Sequence, residues 1–117
     1  MCDVSELRLE VRSSGERHVL ELSGELDMAN ADELEGRLRE LCRAGAREIT
    51  LDLRGLAFID STGLRAILEA QQFCRQHGCE YFLIRSDSAM QMRMFEIAGV
   101  LERLPFRSPS EIEAIGR

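Results

Sequence analysis

The chain has 117 residues, 44% of them hydrophobic and 31% charged, with a formal net charge of -6; this is the make-up of one ordinary globular domain able to bury a single core. The negative balance disfavours a nucleic-acid backbone or an anionic membrane surface as the main partner. All 15 cations are arginine, so Schiff-base chemistry, a Walker-type phosphate lysine and the lysine partner of a phospho-aspartate receiver are excluded by absence.

In chain order, Leu7, Leu9 and Val11 alternate with charged residues, and "HVLELSGEL" follows the turn-rich "SSGE", which predicts two strands joined by a hairpin. "NADELEGRLRELCRAG" places Leu34, Leu38, Leu41 and Cys42 on one helical face. Asn30 is its expected N-cap, Glu33 the capping-box partner and Gly45 the stop, while Gly36 costs this helix about 1 kcal/mol relative to alanine. Ile49, Leu51 and Leu53 alternate with Thr50, Asp52 and Arg54 as in a strand buried on one face. Residues 64–77 have helical spacing, Gly78 supplies the stop, and "CEYFLIRSD" reads as the next strand. Strand, helix and strand in this order imply a parallel crossover.

A third helix is expected at about residues 88–98, with Met90, Met94, Ile97 and Leu101 as its inward stripe. That phase puts Met92 on the opposite side and Phe95 far round the flank, where exposed apolar residues suit a protein contact. Their alternative is scattered exposure, or burial beneath the C-terminal helix. A short strand near Leu104 and Phe106 is expected next. Ser108, Pro109 and Glu111 then signal a last short helix. The sum, over residues 1–117, is a single α/β domain with a mixed sheet of four to five strands and about four helices mainly on one face, because the strands alternate rather than run continuously apolar.

Cys2, Cys42, Cys74 and Cys79 form no C-x-x-C pair, and His18 and His77 are the only imidazoles. Metal-ligand spacing is therefore missing, and no metal or other cofactor is expected. No apolar run approaches ~18 residues and no basic start precedes an apolar stretch, which predicts neither a membrane span nor a signal peptide. A cytoplasmic protein with reduced thiols is the corresponding expectation.

The chemistry is concentrated where a strand gives way to a helix, at Asp60, Ser61, Thr62 and Gly63. Free N–H groups at a helix start need acceptors, and Asp60, Ser61 or Thr62 are each able to supply one. The same place suits a phosphoryl group on a hydroxyl, because backbone N–H groups and the helix dipole favour negative charge there. Both readings stand on these residues alone.

"LAFIDSTGLRAIL", with "LSGELD" at residues 22–27 and the element order above, resembles the STAS domain, specifically the stand-alone bacterial anti-sigma factor antagonists, over nearly the whole chain. The resemblance implies that Ser61 is phosphorylated by an anti-sigma factor that is itself a serine kinase. Asp60 would orient the acceptor loop, Thr62 would give local support, and Gly63 would let the partner approach the backbone. Asp27 would help engage the kinase, or act simply as a turn residue. The unmodified form would bind the anti-sigma kinase and release the sigma factor, and a serine phosphatase would reset the phosphorylated form. The resemblance also leaves room for a STAS-type accessory subunit of a lipid-transport complex with a constitutive partner. An enzyme is disfavoured: Ser61 lacks a nearby base, since helical rise of ~1.5 Å per residue puts His77 roughly 20 Å away. No glycine-rich phosphate loop supports a nucleotide site.

Overall fold

The computed structural model describes residues 6–116, Met90 by its backbone alone; Cys2 and the Met90 side chain therefore lie outside the described residues. β1 (Leu7–Ser14) turns at Gly15, whose φ of 61° is in the left-handed region, into the antiparallel β2 (Arg17–Leu26). α1 (Ala31–Arg43) leads to β3 (Glu48–Ile59), and α2 (Ser61–Gln76) leads to β4 (Glu80–Ile84). Each helix joins two neighbouring parallel strands, giving one mixed sheet of order β1-β2-β3-β4, because parallel pairing needs a crossover of this length. α3 (Ala89–Ile97) follows, then 3₁₀ turns at Leu101–Arg103 and Pro109–Ile112.

Alternation sorts the strands as the sequence implies. Leu20, Leu22, Ile49, Leu51, Leu53 and Leu83 point to one face and are buried against Leu34 and Leu38 of α1 and Ile67 and Ala70 of α2. Each such side chain contributes roughly 1.5–3 kcal/mol by leaving water. The opposite face carries Val19 and Ile84, over which Ile112 and Ile115 of the C-terminal segment pack as a second, smaller apolar cluster. Between them β3 presents Glu48, Thr50 and Asp52, all buried polar residues. Arg107 satisfies two of these: its Nη1 donates to Glu48 Oε2 at 3.0 Å and to Thr50 Oγ1 at 3.2 Å, with the guanidinium 4.0 Å from the Phe82 ring centroid.

Four expectations change. Leu104 and Phe106 form no fifth strand: Phe106 makes only an isolated parallel bridge with Leu83 at the β4 edge. The last helix is a 3₁₀ turn, although Ser108 does cap it as expected and forms a capping box with Glu111. Asn30 occupies the N-cap position of α1 without a side-chain cap; its Oδ1 accepts from Asp27 N at 3.0 Å and its Nδ2 donates to Glu25 O at 2.8 Å.

The phase of α3 is the fourth correction. Phe95 is 1% exposed, in the core, and Ile97 is 77% exposed, the reverse of the expectation for these two, whereas Met94 and Leu101 of the expected stripe do pack partly buried against the core. Gln91 sets this phase: it is buried, donates through Nε2 to Ala57 O, and lies one turn before Phe95 on the same side. Phe95 then meets Phe106 edge to face, with centroids 6.1 Å apart. Met92 is partly buried against the same core. Phe95 is thus a packing residue and no part of an exposed contact surface.

Candidate functional site

The site is built by an irregular end to β3. Asp52 to Gly55 on β3 spans the same ladder as Glu21 to Ser23 on β2, and Leu56 to Phe58 the same as Gly24 to Glu25, so β3 carries two extra residues in two bulges. At the first, Gly55 permits close approach: a Cβ there would stand 2.8 Å from Leu22 O and 2.9 Å from Ser23 Cβ. At the second, Ala57 O leaves the ladder and is taken up by Gln91. Beyond it Phe58 is 47% exposed, whereas Ile59 returns to the core.

Asp60 follows in extended conformation and is the N-cap of α2. Its Oδ1 accepts from Gly63 N at 2.8 Å, and its Oδ2 accepts from Met28 N at 3.2 Å. One carboxylate therefore closes the helix start and ties it to the β2–α1 loop. That loop is shaped from within: Asp27 is buried, with Oδ1 accepting from Ala29 N at 3.0 Å, and Asn30 holds it from the other side. Asp27 forms the turn, with its Oδ1 directed to its own loop, and Met28, the next residue, is 79% exposed.

Ser61 is the first residue of α2 and is exposed. Among the described residues no hydrogen bond engages its hydroxyl. Thr62 is half-buried and Gly63 buried. The close approach that Gly63 permits is internal, since a Cβ would lie 2.6 Å from Leu26 O and 2.9 Å from Leu26 Cγ; the expectation that it opens the backbone to a partner is corrected. The first turn of α2 contains no acidic residue, and Arg65, one turn after Ser61, is exposed. Beyond the Asp60 cap, the first turn thus adds no further negative charge and Arg65 supplies a cation at i+4 to Ser61, a setting able to hold an added anion.

The structure brings together Asp60, Ser61, Thr62, Gly63 and the Asp27 loop, and leaves Met92 and Phe95 in or against the core. It adds Met28 and Phe58, two exposed apolar side chains on segments that adjoin Asp60 in space and in sequence. A signal for Phe58 existed in the isolated Gly55 inside a strand pattern, which marks a bulge. His77 caps the far end of α2, stacked on Phe73 at 4.2 Å between centroids, and is remote from Ser61. No helix among the described residues is long and apolar enough to cross a membrane.

Residues 8–111 match the STAS domain. An anti-sigma-B factor antagonist of Staphylococcus aureus is 26% identical over 107 residues, covering 92% of this chain and 98% of that protein. Among solved structures, an anti-sigma factor antagonist from Mycobacterium paratuberculosis superposes with a TM-score of 0.76 at 19% identity, over 89% of this chain and 86% of that one. The anti-sigma factor antagonist SpoIIAA in its unphosphorylated form gives 0.69 at 22% identity, over 93% and 94%, and phosphorylated SpoIIAA of Bacillus gives 0.67 at 21%, over 91% and 95%. At these identities the structural likeness is one of fold. The sequence match, by contrast, runs from β1 to the last 3₁₀ turn and takes in the whole strand-to-helix serine turn, and on that ground the chain belongs to the STAS domain family.

Proposed function

We propose that this chain is an anti-sigma factor antagonist that acts by binding rather than catalysis, and that Ser61 is its switch. In the unmodified state it binds an anti-sigma factor that is also a serine kinase, and the sigma factor is released. Transfer of a phosphoryl group to Ser61 Oγ ends that binding, and a serine phosphatase restores it. The observation that carries the reading is the division of labour at the helix start: Asp60 caps α2, so Ser61 remains exposed with its hydroxyl available for modification. The names of the relatives support the antagonist role, and SpoIIAA is known in both phosphorylated and unphosphorylated forms.

The electrostatics follow from the same geometry. A phosphate adds about -1.5 to -2 charges beside Asp60, whose neighbours include the exposed apolar Met28 and Phe58. Arg65 and the α2 N-terminus hold it without unfolding the domain. A partner seated on those apolar groups must then desolvate the phosphate or withdraw, a cost of about 2 kcal/mol or more, roughly 30-fold in affinity.

The test is calorimetric titration of the host's purified anti-sigma factor with wild type, Ser61→Ala and Ser61→Asp. Ser61→Ala should bind as wild type does and resist phosphorylation, while Ser61→Asp should bind at least tenfold more weakly. Equal affinity of Ser61→Asp and wild type would contradict the charge switch.

A further inference from the structure

Three cysteines that are distant in sequence converge at the other end of the helical layer. Cys42 lies in the last turn of α1, Cys74 in the last turn of α2, and Cys79 just before β4. Their Sγ atoms all fall within 4.8 Å of one another, with Cys42 and Cys74 3.9 Å apart, and all three are free thiols buried from solvent. Thirteen helical steps lead from Ser61 to Cys74, ~20 Å at ~1.5 Å per residue, so the cluster is separate from the serine turn.

Packing accounts for the burial of each small side chain, but three sulfurs turned towards one point have a donor geometry of their own. With metal–sulfur bonds of about 2.3 Å, three sulfurs at trigonal or tetrahedral angles around one ion stand about 3.8–4.0 Å apart, close to the Cys42–Cys74 separation, and the narrower angles of pyramidal arsenic would draw them closer together. No histidine or carboxylate joins the group among the described residues. An all-sulfur set selects soft ions, and the three thiols offer no fourth protein ligand of the kind a closed structural zinc site uses. Cys79 also lines a surface cavity of about 210 Å³ together with Gln71, Arg75, Tyr81 and Pro105.

We propose that Cys42, Cys74 and Cys79 form a three-sulfur site for one thiophilic ion of the class of Cu(I) or trivalent arsenic. No electron moves in either case. Arsenous acid exchanges its three hydroxyl groups for three thiolates, each departing with a thiol proton as water, and leaves a neutral complex suited to a buried setting. Cu(I) displaces one proton to solvent for each thiolate formed. Either ion would clamp α1, α2 and the start of β4 together.

The experiment uses the full chain carrying Cys2→Ser, reduced and kept anoxic, so that only these three thiols remain. Cu(I) is titrated against a chromophoric chelator, and arsenite in parallel with intact-mass detection. The expected result in at least one arm is one ion per chain, three sulfurs around it by X-ray absorption, protection of all three thiols from alkylation, and an unfolding midpoint that rises with ion concentration. Binding in a single arm supports the site and identifies the charge of its ion. Cys42→Ala, Cys74→Ala and Cys79→Ala should each weaken binding at least tenfold; the absorption and alkylation readouts need no core substitution and decide the matter if a variant does not fold. No ion bound at one equivalent in either arm, an ion held by fewer than three sulfurs, or binding that disappears with Cys2→Ser overturns the proposal.

Discussion

Asp60 performs two tasks with its two oxygens, and substitutions separate them. Asp60→Ala removes the cap on Gly63 N, worth about 1 kcal/mol, and the acceptor for Met28 N, worth about 0.5–1.5 kcal/mol for a single hydrogen bond. The two bonds are 2.8 and 3.2 Å long, so the first should count for more and the sum should be about 2 kcal/mol. Asp60→Asn retains one side-chain oxygen. Asparagine caps as well as aspartate, so the loss should fall to about 1 kcal/mol or less, confined to the Met28 tie. Urea denaturation followed by far-ultraviolet circular dichroism measures both. A chain of this size shifts its midpoint by roughly 4 °C per kcal/mol, which gives thermal melts a readable separation between the variants. An alanine variant within about 0.5 kcal/mol of wild type would refute the double role. Equal losses for alanine and asparagine would refute the assignment of the larger share to the cap.

The remaining expectations concern packing, the surface and pH. Gly63→Ala should destabilise, because a Cβ 2.6 Å from Leu26 O costs about 1–3 kcal/mol of overpacking against a helix-propensity gain of at most ~1 kcal/mol; a stabilised variant would contradict the close approach. Phe95→Ala should cost about 3–5 kcal/mol and Ile97→Ala less than about 0.5 kcal/mol in the same denaturation assay, and the reverse order would restore the helical phase expected from sequence. Met28→Ala and Phe58→Ala should leave stability within about 0.5 kcal/mol while lowering affinity for the anti-sigma factor about tenfold or more, read by calorimetry. Burial lowers the His18 pKa below its ordinary 6.5, so the unfolded chain takes up a proton first as pH falls; the contribution of this residue is present at neutral pH and lost below about 6.5. A His18→Gln variant should show a shallower fall in stability between about pH 7 and 5 than wild type.

Most of the sheet and both crossover helices are legible in the sequence because their periodicity is unambiguous: Leu20 and Leu22, then Ile49, Leu51 and Leu53, face one side, and Leu34, Leu38, Ile67 and Ala70 cover them. α3 is not legible in the same way. Met90, Met92, Met94, Phe95, Ile97 and Ala98 surround the helix with apolar residues, so no stripe stands out, and the deciding residue is the polar Gln91, whose partner is a bulge carbonyl on β3. The serine turn is legible as a place but not as an assignment, since Asp60, Ser61 and Thr62 are all competent caps and only the bond to Gly63 N selects Asp60. Asp27 likewise has an exposed-looking position in the sequence and a buried carboxylate in the fold. The cysteine cluster is set by where α1, α2 and β4 meet, which no local spacing encodes; hence three sulfurs within 4.8 Å arise from residues whose separations fit no metal motif.

The most direct measurement of the switch is peptide mass spectrometry on the protein recovered from its own host during growth and under stress, both free and in complex with the anti-sigma factor. The expected result is a single phosphate on Ser61 whose occupancy changes between conditions, present in the free pool and missing from the complex. Ser61 unmodified under every condition, or phosphorylated to the same extent in the complex as outside it, would contradict the switch.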